Sequence, residues 1–489
     1  MKGRALELLR TPWAVFPLSA LKLLAGVLTI ALGFEGISDD DYSRTVIAQY
    51  FAREPRFSPS EVAVEDPSQT SWLPLPFWLT GLAMRMFGSS LATAQGVGVA
   101  CGVVASLLVY FAARRVHDGD GSKALLAAVL ASVLPWSLRL GASAVPDLLV
   151  AGLVVAAVTY ASGPRPAYVL SSSFMLCACL SRYDAWVLGL PLGLVIAASL
   201  LRKAPLSWQL RTVAALLLLA LGPAAWLLWN QRTYGDAFHF LQVVADYKNT
   251  LEGANQALRA LEYLRAFGRP ELELLLGGAL LLLAAPQPLR SQLLQTHRLA
   301  LACFGAFIVL LTLLGLRGGG PTHHSERAIY ALHLYLTLIV AGLAVDLWRT
   351  GIVRLTRRTC GYAIGCFAIS ALLRVAVLRR EAFAARESEV VVGRAIGRTI
   401  NDQDRVIVSA TDFGHFAVQA AAARPGQVFP DRPVGPLLNG SSGPSDFFCA
   451  AQRVGATHLV GPFTSHPPFP ATTLLCHREL CLYRRDHDE

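Results

Sequence analysis

Three consecutive acids, Asp39, Asp40 and Asp41, follow directly on the first long apolar run of the chain. Val46 and Ile47 begin an apolar pattern at helical spacing after them, which predicts that the acids form the first turn of a short amphipathic helix at the membrane surface. Acids stabilise a helix N-terminus because they face its unpaired N–H groups and the positive end of its dipole. A carboxylate at a dry interface also has a raised pKa and is a better general base. The acids therefore suit either a cap or a catalytic site.

The composition is that of a membrane protein. Charged residues make up 16% of the chain, whereas soluble domains contain roughly 25%. Apolar runs of about 20 residues recur, and each is long enough to span a hydrocarbon core. The first run is too long for a signal-peptide core and lacks a clear cleavage site, so we expect it to be a retained helix. We predict eleven spans, at 13–34, 91–113, 123–137, 145–161, 168–180, 186–201, 213–229, 274–285, 299–316, 329–347 and 361–378.

Lysine and arginine concentrate in alternate loops between these spans, and the intervening short loops carry only Arg139, Arg182, Arg317 and Arg327. Loops rich in Lys and Arg stay in the cytoplasm. This predicts a cytoplasmic N-terminus, with the acidic stretch, the loop 230–270 and everything after Arg380 facing outward. The net charge of +10 is thus a topology signal, and we expect no nucleic-acid partner.

From about residue 379 the pattern changes to strands that alternate with helices. Helices are predicted at 390–400 and 412–423, and strands at 405–410, 457–461 and 480–483. Such alternation is typical of a small α/β domain. The predicted fold class is therefore an α-helical polytopic membrane protein with a C-terminal α/β extracytoplasmic domain. The transmembrane module covers 1–378, with an outward loop at 35–90, and the α/β domain covers 379–489.

The outward loop 35–90 continues with a second distinctive segment, which contains Trp72, Pro74, Pro76 and Trp78. Proline interrupts helices, and tryptophan favours the headgroup level of a bilayer. We therefore expect two interfacial helices joined by a turn.

Five sets of motifs follow one another along the chain. They are Asp40-Asp41 with Ile47-Ala48, Pro74-Leu-Pro-Phe-Trp-Leu with Phe87-Gly88, Ser181-Arg-Tyr-Asp-Ala-Trp, Trp229-Asn-Gln-Arg-Thr-Tyr-Gly-Asp-Ala and Glu326-Arg327. In this order they resemble the motifs of integral-membrane glycosyltransferases that use polyprenyl-phosphate sugars. These are enzymes of the GT-C class, of the protein O-mannosyltransferase and aminoarabinose-transferase kind. Two positions depart from the family pattern: Trp72 or Leu73 stands where a lysine often precedes the proline box, and Arg327 lacks its following tyrosine.

The resemblance implies an inverting glycosyltransferase with an Asp general base in the first outward loop. It would move mannose, or another hexose or pentose, from a polyprenyl-phosphate donor to a lipid, glycan or protein acceptor on the extracytoplasmic side. Asp40 is the preferred base because Ile47-Ala48 follow it at the family's distance. Asp39 is the runner-up in a neighbouring frame, and Asp41 is expected to cap the helix or position the acceptor.

A lipid-phosphate leaving group needs positive charge or hydrogen-bond donors rather than a proton. Arg182 and Arg327 are the foremost candidates because they lie in short outward loops and match motifs. Arg232, Asp184 and Trp72 complete the predicted substrate-binding set. Lys248 and Arg317 are weaker candidates.

We predict no metal and no other cofactor, since the chain has no CxxC pair and no ligand set at suitable spacing. His323 and His324, in a glycine-rich loop, are interpreted as solvated. Cys449, Cys476 and Cys481 of the outer domain would permit one disulfide in an oxidising compartment, and the sequence does not choose the pair.

Three other functions fit parts of the pattern. An oligosaccharide ligase or polymerase of the cell envelope shares the outward site but moves long glycans. A secondary transporter fits less well, because we find few acids inside the spans and no repeat. A membrane scaffold would not require the acidic stretch and the proline box. The expected location is a bacterial inner membrane, with membrane lipids as neighbours.

Overall fold

The computed structural model describes residues 12–57, 72–163, 165–201, 204–252, 262–268, 270–317, 324–351, 386–410, 412–431, 444–461 and 471–485. These residues belong to two compact units. We call them the helical unit, within Met1–Leu32, Val99–Ala142 and Pro146–Leu378, and the mixed unit, within Gly33–Gly98, Ser143–Val145 and Arg379–Glu489.

Apolar helices occupy the positions of ten of the eleven predicted spans, and the eleventh, 361–378, lies outside the described residues. Helices are the expected form, because backbone polar groups in hydrocarbon must be satisfied within the chain. Four are long and apolar enough to cross a membrane, namely Leu91–Val116, Leu206–Tyr234, Gln287–Leu316 and Tyr330–Arg349. The shorter apolar helices are Val15–Ala31, Gly121–Val133, Asp147–Ala161, Tyr168–Cys179, Tyr183–Ser199 and Leu272–Ala284. Further short helices are Pro135–Leu140, His239–Glu252, Glu262–Phe267 and Ser325–Ala328.

Two predicted spans differ in extent from the observed helices. The span 123–137 is broken, because one helix ends at Val133 and a second begins at Pro135. Proline has no N–H to continue the helix and forces Leu134 out of the helical region. The span 299–316 begins earlier, at Gln287, so Arg290 and Arg298 belong to the helix rather than to a loop.

The C-terminal part of the mixed unit is an α/β fold, as predicted. Its strands are β1 Val406–Val408, β2 Val428–Pro430, β3 His458–Gly461, β4 Ala471–His477 and β5 Leu480–Arg485, in the sheet order β2-β1-β3-β5-β4. β1 pairs in parallel with β2 and β3, and β5 pairs antiparallel with β3 and β4. The helices of this part are Glu387–Thr399, His415–Ala422 and Pro444–Val454.

The disulfide joins Cys476 and Cys481, which face each other in the hairpin of β4 and β5. The sequence permitted one disulfide among Cys449, Cys476 and Cys481 without choosing the pair, and the structure identifies the pair as Cys476 and Cys481. Cys449 is an exposed free thiol.

The mixed unit also contains two helices from the first loop: the acidic helix, Asp39–Arg53, and the proline-box helix, Leu75–Phe87. The sequence predicted an amphipathic acidic helix, but in the structure only its last residue, Arg53, is exposed. It packs on the C-terminal part through a hydrophobic cluster of Tyr42, Val46, Leu91, Val390, Ala410, Phe416, Ala417 and Ala420. The domain prediction placed this loop in the transmembrane module 1–378. In the structure it belongs to the same compact unit as 379–489.

Candidate active site

Asp41 closes the N-terminus of the acidic helix. Its Oδ2 accepts hydrogen bonds from the N–H groups of Ile37 (2.7 Å) and Ser38 (3.2 Å), and the Ser38 hydroxyl completes a capping box. Its Oδ1 accepts the N–H of Ala144 at 2.6 Å. Asp41 is buried, and a Cβ at Gly36 would lie 3.0 Å from its Cβ. Both oxygens of this carboxylate therefore hold backbone in place.

Asp39 forms a bidentate ion pair with Arg386. Arg386 Nε donates to Asp39 Oδ1 at 2.9 Å, and Nη2 donates to Oδ2 at 3.0 Å. Nη1 donates to Asp412 at 2.7 Å and to Glu389 at 3.1 Å. Burial by itself would lower the pKa of Arg386, but the hydrogen bonds that it donates to Asp39 and Asp412 raise this pKa overall. Asp39 is thus tied to a permanently charged guanidinium.

Asp40 lies between these two fixed acids and is half-buried. One helical turn later on the same face comes Arg44, since residues four apart are neighbours on a helix. The Arg44 guanidinium lies 4.3 Å from the ring centroid of Trp72 and 5.7 Å from that of Phe77, and the two rings stack on each other. A cation over an aromatic face is stabilised by the ring quadrupole. Trp72, a predicted substrate-binding residue, therefore contacts Arg44. The sequence analysis did not single out Arg44, although its position four residues after Asp40 indicates that the two lie on the same face of the helix.

The segment before the acidic helix carries a fourth acid, Glu35, which is half-buried. Gln95 fixes this segment by donating to the carbonyl oxygens of Phe34 (3.2 Å) and Glu35 (3.1 Å). Burial raises the pKa of Glu35, and the opposing effect of Arg394, 3.7 Å away, is smaller. Glu35 is therefore easier to protonate than an ordinary glutamic acid.

In the helical unit, Arg182 contacts two buried acids. Its Nη1 lies 2.5 Å from Asp147 Oδ1, and its Nε lies 2.7 Å from Asp184 Oδ1. Arg182 stands at the N-cap position of the helix Tyr183–Ser199. Asp147, Asp184 and buried Arg327 line one small cavity together with apolar side chains. Three predicted residues, Arg182, Asp184 and Arg327, thus meet in one region, and Asp147 is an additional member.

Other predicted cations lie elsewhere. Arg232 is exposed in the last turn of the helix Leu206–Tyr234, and Arg317 is exposed at the C-cap of Gln287–Leu316. Neither is among the residues that line the cavity around Asp147. The side chain of Lys248 and all of His323 lie outside what the structure describes.

Two further buried charges lie in the helical unit. Glu271 accepts hydrogen bonds from the backbone N–H of Trp136 at 3.1 Å and from the Tyr330 hydroxyl at 2.8 Å. Lys22 donates to the carbonyl oxygens of Ser132 and Ser137 and to the Ser137 hydroxyl. Ionisable groups inside spanning bundles are costly and mark functional candidates. The sequence gives no signal for the acceptors of Lys22, because they lie more than 100 residues away.

Within the described ranges, no group of three or more His, Cys, Asp or Glu side chains is arranged so that it could hold a metal ion.

Residues 67–229 match the family described as dolichyl-phosphate-mannose-protein mannosyltransferase. Among solved structures, ArnT from Cupriavidus metallidurans bound to undecaprenyl phosphate is 13% identical, with 97% of this chain and 98% of that chain covered and a TM-score of 0.61. This chain has the GT-C fold. The apo form of the same ArnT is 15% identical, covering 96% of this chain and 97% of that chain at a TM-score of 0.61.

A third solved structure with this GT-C fold is the apo oligosaccharyltransferase of Archaeoglobus fulgidus. It is 13% identical, with 93% of this chain and 70% of that chain covered and a TM-score of 0.53. No curated protein sequence matches the chain.

The family match and the shared fold confirm the resemblance to GT-C class membrane glycosyltransferases that the motifs indicated. The predicted fold class, a helical membrane protein with a small C-terminal sheet, is confirmed as well. The family match also confirms the predicted enzyme class, a glycosyltransferase.

Proposed function

We propose that this protein transfers one sugar from a polyprenyl-phosphate donor to an acceptor hydroxyl on the extracytoplasmic side of a membrane. The sugar is mannose or another hexose or pentose, and the acceptor is a lipid, a glycan or a protein. Support comes from the matched mannosyltransferase family and from the ArnT structure, which holds undecaprenyl phosphate. The observation that carries the proposal is the acidic turn, in which Asp39 and Asp41 are fixed by named contacts on either side of Asp40.

In the proposed reaction Asp40 is the general base. Its carboxylate takes the proton of the acceptor hydroxyl as the oxygen attacks the anomeric carbon. The bond from that carbon to the phosphate oxygen breaks, and the lipid phosphate leaves as an anion without a proton. A single displacement of this kind inverts the anomeric centre. Asp39 and Asp41 orient the turn and take no proton.

The leaving phosphate requires positive charge, and we assign this role in the mixed unit to Arg44. Its guanidinium is held over Trp72 and Phe77, one turn from Asp40. A guanidinium matches phosphate oxygens with paired donors. The expectation that Arg182, Asp184, Arg232 and Arg327 affect donor use stays a prediction.

Purified Asp40→Asn tests the assignment, because it keeps the shape of the side chain and removes the proton acceptor. We expect transfer to fall by about 10²–10⁴-fold, the usual worth of positioned acid–base catalysis. Thermal stability and binding of the polyprenyl-phosphate donor should stay near wild type. Asp41→Asn is the matched control and should lower thermal stability instead, because an amide nitrogen cannot accept the N–H bonds that Asp41 accepts. A near wild-type rate for Asp40→Asn would remove Asp40 from the mechanism.

An oligosaccharide ligase is the second candidate, and the structural likeness to an oligosaccharyltransferase favours it. The two functions separate with two donors, a polyprenyl-phosphate monosaccharide and a polyprenyl-linked oligosaccharide of the same lipid length. The proposal requires faster transfer from the first donor, and the reverse preference would support the ligase.

The chain is an integral membrane protein, and we propose a bacterial inner membrane with the N-terminus in the cytoplasm. The Lys/Arg asymmetry of the loops supports this orientation. Reporter fusions at Arg115 and after Arg380 should give opposite signals, and equal signals would reject the eleven-span topology.

A further inference from the structure

Arg386 stands immediately before the helix Glu387–Thr399, and its side chain joins three carboxylates. Each of its three nitrogens donates to at least one of them: Nε and Nη2 to Asp39, and Nη1 to both Asp412 and Glu389. Asp39 is 347 residues away in the sequence, on the first turn of the acidic helix. The ion pair therefore links the first loop to the C-terminal part of the mixed unit at the turn that carries Asp40.

This ion pair differs from an ordinary surface salt bridge. The Arg386 side chain is only 16% exposed, and its contact with Asp39 has the parallel two-bond geometry that gives arginine–carboxylate pairs their strength and direction. Removing the guanidinium would leave Asp39, Glu389 and Asp412 close together with their common cation gone. Like charges at this separation repel, so the first turn of the acidic helix would move away from its neighbours.

The backbone around Gly414 is shaped to admit the guanidinium. A Cβ at this glycine would lie 2.7 Å from Arg386 Nη1 and 2.6 Å from a Glu389 carboxylate oxygen. The Gly414 N–H donates to Asp412 Oδ1 at 2.8 Å, which holds the carboxylate that meets Nη1. An alanine at position 414 would force the Arg386 guanidinium or its carboxylate partners to shift, and it would remove no charge.

Contacts farther along the acidic helix show that Arg386 acts at one end of a longer attachment. Gln49 donates to the Ala420 carbonyl at 2.9 Å, and Tyr50 accepts the Gly426 N–H at 3.2 Å. Arg53 donates to the Pro425 carbonyl at 2.9 Å. These bonds hold the C-terminal half of the helix, so loss of Arg386 would free the first turn while the rest stays attached.

We propose that Arg386 is a positioning residue of the transferase. It binds Asp39, fixes the first turn of the acidic helix and thereby sets the direction of Asp40, which lies next in the same turn. This inference rests on the proposed function of Asp40. It gives the C-terminal α/β part a role in catalysis without any contact between Arg386 and the substrate.

The test compares Arg386→Ala, Arg386→Lys and Asp39→Asn with wild type in kcat, in KM for the polyprenyl-phosphate donor and in thermal stability. We expect Arg386→Ala to lower kcat by about 10- to 100-fold, the scale of a misplaced catalytic group, with little change in donor KM. Arg386→Lys should recover part of the rate, because one ammonium cannot make the two parallel bonds. Arg386→Ala with Asp39→Asn should be no worse than Arg386→Ala alone, since both break the same pair.

Arg394→Ala is the matched control. Arg394 lies on the adjoining helix and pairs with Glu35 at 3.7 Å, but its side chain is 53% exposed. We expect its kcat to stay near wild type. If Arg386→Ala does not fold, Gly414→Ala is the alternative variant, because its Cβ disturbs the contacts of Arg386 and every charge is retained. It should also lower kcat.

Amide hydrogen exchange separates the failure of this inference from the failure of the proposed function. Arg386→Ala should speed exchange in residues 39–45 but not in 49–53. Faster exchange with an unchanged kcat, or unchanged exchange in 39–45, would overturn the positioning role and leave the proposed function intact. An active Asp40→Asn would overturn the proposed function, and the inference would fall with it.

Discussion

Arg182 Nη1 lies 2.5 Å from Asp147 Oδ1, and both side chains are almost completely buried. The same guanidinium contacts Asp184 at 2.7 Å. The sequence suggested that Arg182 binds a donor phosphate, but here two carboxylates already face its single positive charge. The first effect of removing it is therefore expected on stability.

Arg182→Ala should lower the free energy of unfolding by about 3–5 kcal/mol, because it leaves buried acids without their cation. Arg232→Ala is the control, since Arg232 is exposed, and exposed substitutions of this kind change stability by about 0.5 kcal/mol or less. Thermal unfolding of both variants in detergent measures the difference. An Arg182→Ala variant of unchanged stability with a raised donor KM would instead favour the phosphate-binding role.

Two glycines one helical turn apart allow the helices Glu387–Thr399 and His415–Ala422 to approach closely. A Cβ at Gly393 would lie 2.5 Å from the Val418 carbonyl oxygen, and one at Gly397 would lie 2.5 Å from that of Ala422. Backbone cannot move aside cheaply, so overpacking should cost about 1–3 kcal/mol in Gly393→Ala.

The control for this pair of helices is Gly96→Ala, at a helical glycine whose added Cβ would meet no atom of the described residues within 4 Å. Alanine favours the helix by up to about 1 kcal/mol over glycine, so Gly96→Ala should be neutral or stabilising. A melting temperature that falls in Gly393→Ala and is unchanged or rises in Gly96→Ala would support the close approach of the helices. A Gly393→Ala variant as stable as wild type would contradict it.

How much the sequence could predict depended on how local each feature is. The spanning helices follow from continuous apolar runs, and the cap at Asp41 follows from residues within one turn of it. The break at Pro135 and the Asp40–Arg44 spacing were visible in the sequence but not used. The pair of Asp39 and Arg386 could not be predicted, because no pattern in one sequence links residues 347 positions apart.

The disulfide predicts a difference among the three cysteines of the C-terminal part. Peptide mapping without reduction should recover Cys476 linked to Cys481, and Cys449 should be alkylated directly because it is exposed. A loop this short contributes up to about 2 kcal/mol by restricting the unfolded chain. Replacing both linked cysteines by serine should therefore lower the melting temperature slightly and leave transfer unchanged. A disulfide that includes Cys449 would contradict the Cys476–Cys481 pair seen in the structure.

The raised pKa of Glu35 predicts that the free energy of unfolding depends on pH. Burial raises its pKa in the folded protein, and Arg394 offsets this only in part. A raised carboxyl pKa means that the folded state binds the proton more tightly than the unfolded chain, whose glutamic acid titrates near pH 4.3. The stabilisation is therefore complete below about pH 4 and is lost as the pH rises through the folded pKa.

Glu35→Gln mimics the protonated form, so it should raise the melting temperature at pH 7 and have no effect at the acid end of the range. Arg394→Ala should do the opposite at pH 7, because it removes the cation that favours ionised Glu35. A Glu35→Gln variant that is less stable than wild type at pH 7 would show that the ionised carboxylate is needed for folding.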